Sequence, residues 1–360
     1  MNWLCLGSLN YHHARQGLPT KRGMLVDFEQ SLEFNGLGAH SFALSVLNQK
    51  VTELRVVPGS GMPFQRIYWS LLQSIEREFP ILKSKRLSYG FSKAGQKILA
   101  DSYDCFFTRE IWDYSNEFLE VVKSAIPIRI VWLSLSPGRV PYAEIWDKLK
   151  YFTHIFLIDH EGVDLLKSKG YNAYYLPFAL ADYSAVRFRR AKKYPLSFLG
   201  TLYPKRMGLL RALKRFDLNF FAPNFMTGTQ IMYPDLVSHY RGEVWGMDLL
   251  ESMAQSNIIV NPVHRSYMRG LDDNVTNFRL FEAIGVGTFQ FVECKPAIRE
   301  IFPSDEVETY SSVDELIEKI IFYSDKQDLI DAMVAKAYER VMGGHLYSHR
   351  MQQIIDIIRA

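Results

Sequence analysis

The sequence predicts an α/β protein of two domains with mainly parallel sheets, and three observations carry that expectation. Short apolar runs alternate with longer stretches of helical spacing, the pattern of strands joined by helical crossovers. A length of 360 residues exceeds what one hydrophobic core ordinarily organises. A basic, polar segment, Arg187-Phe-Arg189-Arg190-Ala-Lys192-Lys193, separates two strand-and-helix series and reads as the solvated linker between them.

In the first series, residues 3–7 read as a buried strand, followed by a polar loop with His12, His13, Gly17 and Gly23. Helical spacing from about residue 24 to 34 stops at Asn35-Gly36, a turn signal. Residues 103–108, 128–135 and 154–158 read as further strands, the last followed by a helix over 162–169. A short strand near Tyr174 runs into Leu176-Pro177. The second series opens with a strand at 196–200 and continues with strand-like runs at 218–222, 258–261, 288–292 and 307–310. Residues 314–323 form an amphipathic helix with a stripe of Leu316, Ile317, Ile320 and Ile321, and a final helix covers about 349–358. Two such domains imply a cleft, with ligands beyond the strand carboxyl ends, so the loop after Gly7 would face the loop after Gly200.

Composition narrows the class. A hydrophobic content of 48% with 22% charged residues describes an ordered globular chain. A net charge of +3 does not by itself imply nucleic-acid binding. Cys5, Cys105 and Cys294 form neither a metal spacing nor an even disulfide framework, which fits a reducing cytosol. No signal peptide is read at the start, and no apolar run approaches the roughly 18 residues that span a bilayer. The expected location is the cytoplasm.

The most informative stretch is Asn274-Val-Thr-Asn277-Phe-Arg279-Leu-Phe-Glu282-Ala-Ile-Gly285-Val-Gly287. It sets an amide, a guanidinium and a carboxylate at the start of an apolar helix. Unpaired N–H groups and the dipole suit that end of a helix to a diphosphate, and a carboxylate one turn in can accept bonds from a ribose diol. The same residues also have ordinary uses. Thr276 or Asp273 caps the helix, and Arg279 pairs with Glu282 three residues on.

A second element, Gly200-Thr201-Leu-Tyr203-Pro-Lys205-Arg206, joins a strand to an apolar helix. Gly200 and Thr201 let the backbone approach a ligand, and Lys205 or Arg206 can neutralise a diphosphate. An ordinary strand-to-helix turn with a solvated basic pair accounts for it equally well. It is neither a P-loop nor a dinucleotide fingerprint. The Gly-flanked loop around Trp245 offers backbone contacts and a stacking ring for a nucleobase, or Trp245 simply packs; His264 follows Asn261-Pro262 at a strand end.

Four of these elements, in order, resemble the CgeB-like, spore-maturation-protein type of glycosyltransferases. Asn277-Phe-Arg279-Leu-Phe-Glu282 is similar to that family's N-x-R-x-F-E element. Ser197-Phe-Leu-Gly200-Thr-Leu-Tyr203-Pro-Lys-Arg206 is similar to its F-x-G-x-x-Y-x-x-R turn, and Ser256-Asn-Ile-Ile-Val-Asn261 to its strand ending in Asn. Gly344-His345-Leu-Tyr347-Ser-His349-Arg350 matches its H-T-Y-x-x-R close, with Leu346 in place of Thr. The match runs from about residue 150 to 360 and is looser before that.

The resemblance implies a GT-B fold: an acceptor domain over residues 1–180 and a nucleotide-sugar domain over 181–343, both Rossmann-like and facing across a cleft. Residues 344–360 would form a helix crossing back to the first domain. It implies transfer of a sugar from a nucleoside-diphosphate sugar, with UDP the expected nucleotide, to a hydroxyl acceptor, without a bound metal or other cofactor. Glu282 would hold the donor ribose, Arg206 and Arg279 would face the diphosphate, and Gly200 and Thr201 would line the donor cleft. Tyr203, Lys205, Trp245, His264, Asn274 and Asn277 complete the expected donor set.

Two departures bear on the chemistry. Many retaining relatives carry a second Glu where this chain has Asn274, and relatives often have an Asp where this chain reads Trp132-Leu-Ser134-Leu-Ser136-Pro137. Serine is a poor general base. His12 and His13 therefore become the candidate bases, ahead of Asp27 and Glu29, because imidazole titrates near neutrality. Three other readings stay open: a phage-type DNA-base glycosyltransferase, whose DNA contact would be salt-sensitive, a non-catalytic scaffold of the same fold, and a sugar-nucleotide epimerase.

Overall fold

The computed structural model of the chain describes residues 1–5, 50–53, 98–108, 111, 114, 116–134, 137, 144–181, 190–223, 225–244, 246–263 and 275–360. These divide into two units, Met1–Leu176 with Ser348–Ala360, and Pro177–Tyr347.

The first unit carries a six-stranded parallel sheet. Its strands are β1 (Asn2–Cys5), β2 (Lys50–Glu53), β3 (Cys105–Thr108), β4 (Ile128–Leu133), β5 (His154–Leu157) and β6 (Ala173–Tyr175), in the order β2-β1-β3-β4-β5-β6. The helices α1 (Asn116–Ala125), α2 (Glu144–Leu149) and α3 (His160–Ser168) are its described crossovers. Asp159 starts α3 by accepting a hydrogen bond from the Gly162 amide at 2.7 Å. Near-continuous apolar runs such as Cys105-Phe-Phe-Thr are what a sheet covered on both faces requires, and Trp3, Phe106, Phe107, Trp132 and Phe156 are fully buried. Trp132 donates its indole N–H to the Leu176 carbonyl at 2.9 Å, so the ring is buried without an orphaned donor.

The second unit repeats the plan. Its strands are β7 (Tyr194–Leu199), β8 (Leu218–Phe221), β9 (Ser256–Asn261), β10 (Phe289–Glu293) and β11 (Glu308–Tyr310), all parallel, in the order β11-β10-β9-β7-β8. Helices α4 (Pro204–Leu213), α5 (Thr229–Met232), α6 (Gly246–Ala254), α7 (Phe278–Gly285), α8 (Pro296–Ile301), α9 (Val313–Tyr323) and α10 (Gln327–Gly344) connect and cover them. One core cluster joins Phe198, Leu210, Phe220, Phe291 and Ile320; a second joins Leu199, Phe221, Met253, Ile259, Ala283 and Val286. Successive residues of β7 and β8, Phe198 and Leu199, Phe220 and Phe221, fall in different clusters, as strands buried on both faces demand. The last helix, α11 (Tyr347–Arg359), falls almost wholly within the first unit.

The described basic residues next to β7 are exposed, as a solvated segment would be, and two of them also make contacts within the second unit. Lys192 donates to the Ala254 and Ser256 carbonyls at 3.1 and 2.8 Å, and Arg190 meets Glu251 at 3.1 Å. Several expectations need correction. The strand expected over 128–135 ends at Leu133, and β9 begins two residues before 258. Neither α1 nor α10 is among the elements expected from the sequence. Lys326, at the N-cap of α10, makes no side-chain cap bond, so the usual start signal is missing there. Among the described residues, no helix is long and apolar enough to cross a membrane.

Candidate functional site

The strand order of the second unit creates the site. From β7 the chain moves outward to β8 and then returns to β9 on the other side, so the order reverses between β7 and β9. At such a switch point the two following connections diverge and leave a crevice at the strand carboxyl ends. Those ends here are Leu199-Gly200 and Asn261-Pro262, with α4 following β7 and α7 entering after β9.

The α7 helix starts on Asn277. Its side-chain oxygen accepts from the Leu280 amide at 2.9 Å, while its Nδ2 donates to Asn261 Oδ1 at 2.8 Å. Asn261 Nδ2 donates to Asn277 Oδ1 at 3.2 Å and to Gln290 Oε1 at 3.0 Å, and Gln290 Nε2 donates to the Leu280 carbonyl at 2.8 Å. The helix start is thus bolted to the ends of β9 and β10 by a closed set of amides. The cap is Asn277 rather than the expected Thr276 or Asp273. Thr276 is buried, and Asp273 lies outside the described residues. The helix ends at Gly285 with Val286 as its C-cap, and Gly287 at φ 75° takes the left-handed turn that returns the Thr288 amide to the Ala283 carbonyl at 2.9 Å.

Arg279 lies in the first turn of α7. Its Nε donates to the Leu199 carbonyl at 3.1 Å, and its Nη1 donates to Glu282 Oε2 at 2.6 Å. The pairing weighed from the spacing therefore forms, and it holds a carboxylate and a guanidinium side by side at the end of β7. Both side chains stay about one fifth exposed, at 20% and 22%, so the pair is still open to a ligand. The first turns of α4 and α7 contain no acid, and each carries basic residues, Lys205 and Arg206 in one and Arg279 in the other.

Arg206 is the most enclosed of these cations. Its Nη1 donates to the Thr201 carbonyl and its Nη2 to the Pro262 carbonyl, both at 2.8 Å. Its guanidinium also lies over the Phe198 and Tyr203 rings, 5.7 and 5.0 Å from their centroids. Burial pulls its pKa below the ordinary arginine value, and Arg279 adds to that, while Tyr203, Tyr310 and Glu293 oppose it. Arginine keeps its charge through such shifts. Arg206 therefore clamps the two backbones that leave β7 and β9. The resemblance implied that it faces a diphosphate; in the structure each of its two terminal nitrogens donates to one backbone carbonyl. A Cβ on Gly200 would come within 3.4 Å of the Phe198 ring and 3.7 Å of Arg206 Nη1, which explains a glycine beside this clamp.

Lys205 is two-thirds exposed, with Nζ 3.6 Å from Glu293 Oε1. Tyr203 is the N-cap of α4 and makes no side-chain cap bond. His12, His13, Trp245, His264 and Asn274 lie outside the described residues. The structure thus gathers Gly200, Thr201, Tyr203, Lys205, Arg206, Asn277, Arg279 and Glu282 at one end of one sheet. Asn261, Gln290 and Glu293 stand at the same end of the sheet and were not in the expected donor set. Gln290, a polar residue inside the apolar run Thr-Phe-Gln-Phe-Val, was the available signal. Among the described residues no cluster of His, Cys, Asp or Glu is arranged to hold a metal ion.

Comparison with known proteins agrees with this architecture. Residues 206–356 match a family model described as glycosyl transferase-like. No curated protein matches the chain by sequence. Among solved structures, a sucrose-phosphate synthase from Thermosynechococcus elongatus superposes with a TM-score of 0.59 at 11% identity, covering 100% of this chain and 98% of its own. AviGT4, a glycosyltransferase involved in avilamycin A biosynthesis, gives 0.57 at 13% identity, covering 100% and 97%. HepE of Anabaena in complex with UDP gives 0.56 at 11% identity, covering 100% of both chains. The same protein has also been solved with UDP-glucose. The fold is the GT-B fold of glycosyltransferases, two parallel-sheet α/β units. The residues matched by the glycosyl transferase-like model, 206–356, fall mostly in the second unit and extend into the last helix.

Proposed function

We propose that the chain is a glycosyltransferase that moves a sugar from a nucleoside-diphosphate sugar, with UDP the favoured nucleotide, to a hydroxyl acceptor. The observation that carries this reading is the Arg279–Glu282 pair at the switch point, tied to the Leu199 carbonyl. In this reading Glu282 accepts hydrogen bonds from the ribose diol, and Arg279 with the start of α7 meets the diphosphate. Arg206 acts by holding the Thr201 and Pro262 backbones in place. Lys205, exposed at the same end, adds a mobile positive charge. HepE, which shares the fold, has been solved with UDP and with UDP-glucose, which supports UDP as the first nucleotide to try.

The reaction forms a bond from the acceptor oxygen to the anomeric carbon as the bond to the diphosphate breaks. The diphosphate leaves with the electron pair, and the acceptor proton passes to a base, for which His12 and His13 are the proposed groups. Fixed positive charge at the leaving diphosphate lowers the barrier without a metal ion. In the same reading the first unit supplies the acceptor side.

The test is calorimetric titration of UDP, GDP, ADP, CMP and dTDP into the intact protein and into Glu282→Ala. Selective binding of one nucleotide, lost in the variant, is the expected result. Absence of binding by all five would sink the assignment and leave a non-catalytic protein of this fold.

A further inference from the structure

The second unit carries an apolar excursion that its own core does not use. Between β8 and β9 the chain makes a short 3-10 turn (Phe225–Thr227), the single-turn helix α5 and a longer 3-10 turn (Pro234–His239). Phe225 and Leu236 are fully buried and pin this excursion to the core at both ends. Beside those anchors, Met226, Ile231, Met232 and Val237 are 50%, 78%, 72% and 40% exposed. Ile231 and Met232 are the most exposed large apolar side chains among the described residues.

The excursion holds its own shape. The Gln230 side chain accepts from the Gly228 amide at 2.7 Å and donates to the Met226 carbonyl at 3.1 Å. The Tyr233 amide donates to the Thr229 carbonyl at 3.2 Å. These bonds tie the backbone of the loop to itself and leave Met226, Ile231 and Met232 facing outward together.

The charge around this tip is mainly positive. Residues 218–234 contain no charged side chain. Arg211 lies over the Tyr233 ring, 5.3 Å from its centroid, which sets it next to Met232. Asp235 is the local acid, met by Arg211 at 3.0 Å and by Lys214 at 3.1 Å, so one carboxylate is shared by two cations. Arg215 is exposed and lies over the Phe216 ring. Over residues 211–241, Arg211, Lys214, Arg215 and Arg241 outnumber Asp217 and Asp235, a net charge of +2.

An uncharged apolar tip flanked by cations suits the boundary between the headgroups and the acyl chains of an anionic bilayer. Other occupants fit less well. A two-fold contact with a second copy would set Arg211, Lys214 and Arg215 against their own counterparts. A nucleic acid would satisfy the cations with phosphate but leave Ile231 and Met232 against water.

We propose that this excursion docks the protein on the surface of an anionic phospholipid membrane. Ile231 and Met232 enter the headgroup layer, and Arg211, Lys214 and Arg215 meet the lipid phosphates. The inference uses none of the residues gathered at the ends of β7 and β9, so it does not rest on the nucleotide reading.

The full chain would be floated with vesicles of phosphatidylcholine alone and of phosphatidylcholine mixed with an equal part of phosphatidylglycerol. The proteins are the wild type, the double variant Ile231→Ser/Met232→Ser, Arg215→Glu, and Ile321→Ser as a control. Ile321 is 58% exposed on α9, outside the excursion. All the altered side chains are exposed, so folding should survive, and thermal denaturation checks it. The wild type and Ile321→Ser should bind the mixed vesicles, and bind phosphatidylcholine far less. The double variant should bind the mixed vesicles about tenfold more weakly or worse. Arg215→Glu should also weaken binding, and added salt should lower it for the wild type. A wild type that binds neither vesicle, or both equally, overturns the proposal. So does a double variant that binds like the wild type, or a control that loses as much. Without vesicle binding, self-association that the double variant loses would assign the patch to a second copy, and retention of duplex DNA would assign it to nucleic acid; either overturns membrane docking. Nucleotide calorimetry reports on Glu282 separately, so either reading can fail alone.

Discussion

Arg279 touches two elements at once: its Nε donates to the Leu199 carbonyl at the end of β7, and its Nη1 donates to Glu282 one turn along α7 at 2.6 Å. The residue proposed to meet a diphosphate thus also orients Glu282, the carboxylate proposed to bind ribose, and two substitutions separate these roles. Arg279→Ala should destabilise the protein by about 1–3 kcal/mol, since it strips charge-assisted bonds from a mostly buried pair. It should also abolish nucleotide binding. Glu282→Gln keeps an oxygen for Arg279 and should cost about 1 kcal/mol or less, yet still lose nucleotide affinity. Urea denaturation beside calorimetry checks both. Equal stability loss in the two variants would contradict the assigned roles.

The amide set around Asn277 makes a second prediction. Asn277→Ala removes the cap of α7 and leaves Asn261, 3% exposed, without the amide that donates to its oxygen. The expected cost is about 1–3 kcal/mol. Asn277→Asp keeps an acceptor for the Leu280 amide and should cost distinctly less. The denaturation midpoints of the two variants give the comparison directly.

Arg206→Lys should behave as a damaging substitution. One ammonium cannot reproduce the planar fork that reaches the Thr201 and Pro262 carbonyls together. We expect a loss of about 1–3 kcal/mol and a fall in nucleotide affinity through the displaced loops. A lysine variant of full stability and full affinity would show that the clamp is dispensable.

His154 sets a pH dependence in the first unit. Burial foremost, and then Arg129, hold its imidazole below its ordinary value of 6.5. The unfolded chain therefore binds this proton more readily than the folded one. The resulting stability is fully present above about pH 6.5 and is lost as pH falls through the folded value. Unfolding free energy measured from pH 7.5 down to 5 should decline, and His154→Gln should flatten that decline.

Removal of metal ions is the last test. If α7 and its cations neutralise the leaving diphosphate, turnover with the preferred nucleotide sugar should be the same in EDTA as in added Mg2+ or Mn2+. A requirement for either ion would overturn the metal-free reading.

Much of the fold was legible because its signals are local. Strands such as 154–157 and 218–221 appear as short apolar runs, and α9 shows its stripe of Leu316 and Ile320 within one helix. Capping was less legible. Thr276, Asp273 and Asn277 are all acceptable caps, and only the partners Asn261 and Gln290, brought in by β9 and β10, single out Asn277. Likewise the N-cap of α10, Lys326, makes no side-chain cap bond, so no capping residue marks its start.

By itself, then, the sequence determined the alternation of strands and helices and the local grouping of Asn277, Arg279 and Glu282 on one helix start, because periodicity and i,i+3 spacing are properties of short segments. Tertiary structure alone decided what those groups touch. The β8-β7-β9 order brings Leu199 to Arg279 and Pro262 to Arg206. These contacts join residues distant along the chain, and only strand pairing between parallel neighbours carries that information.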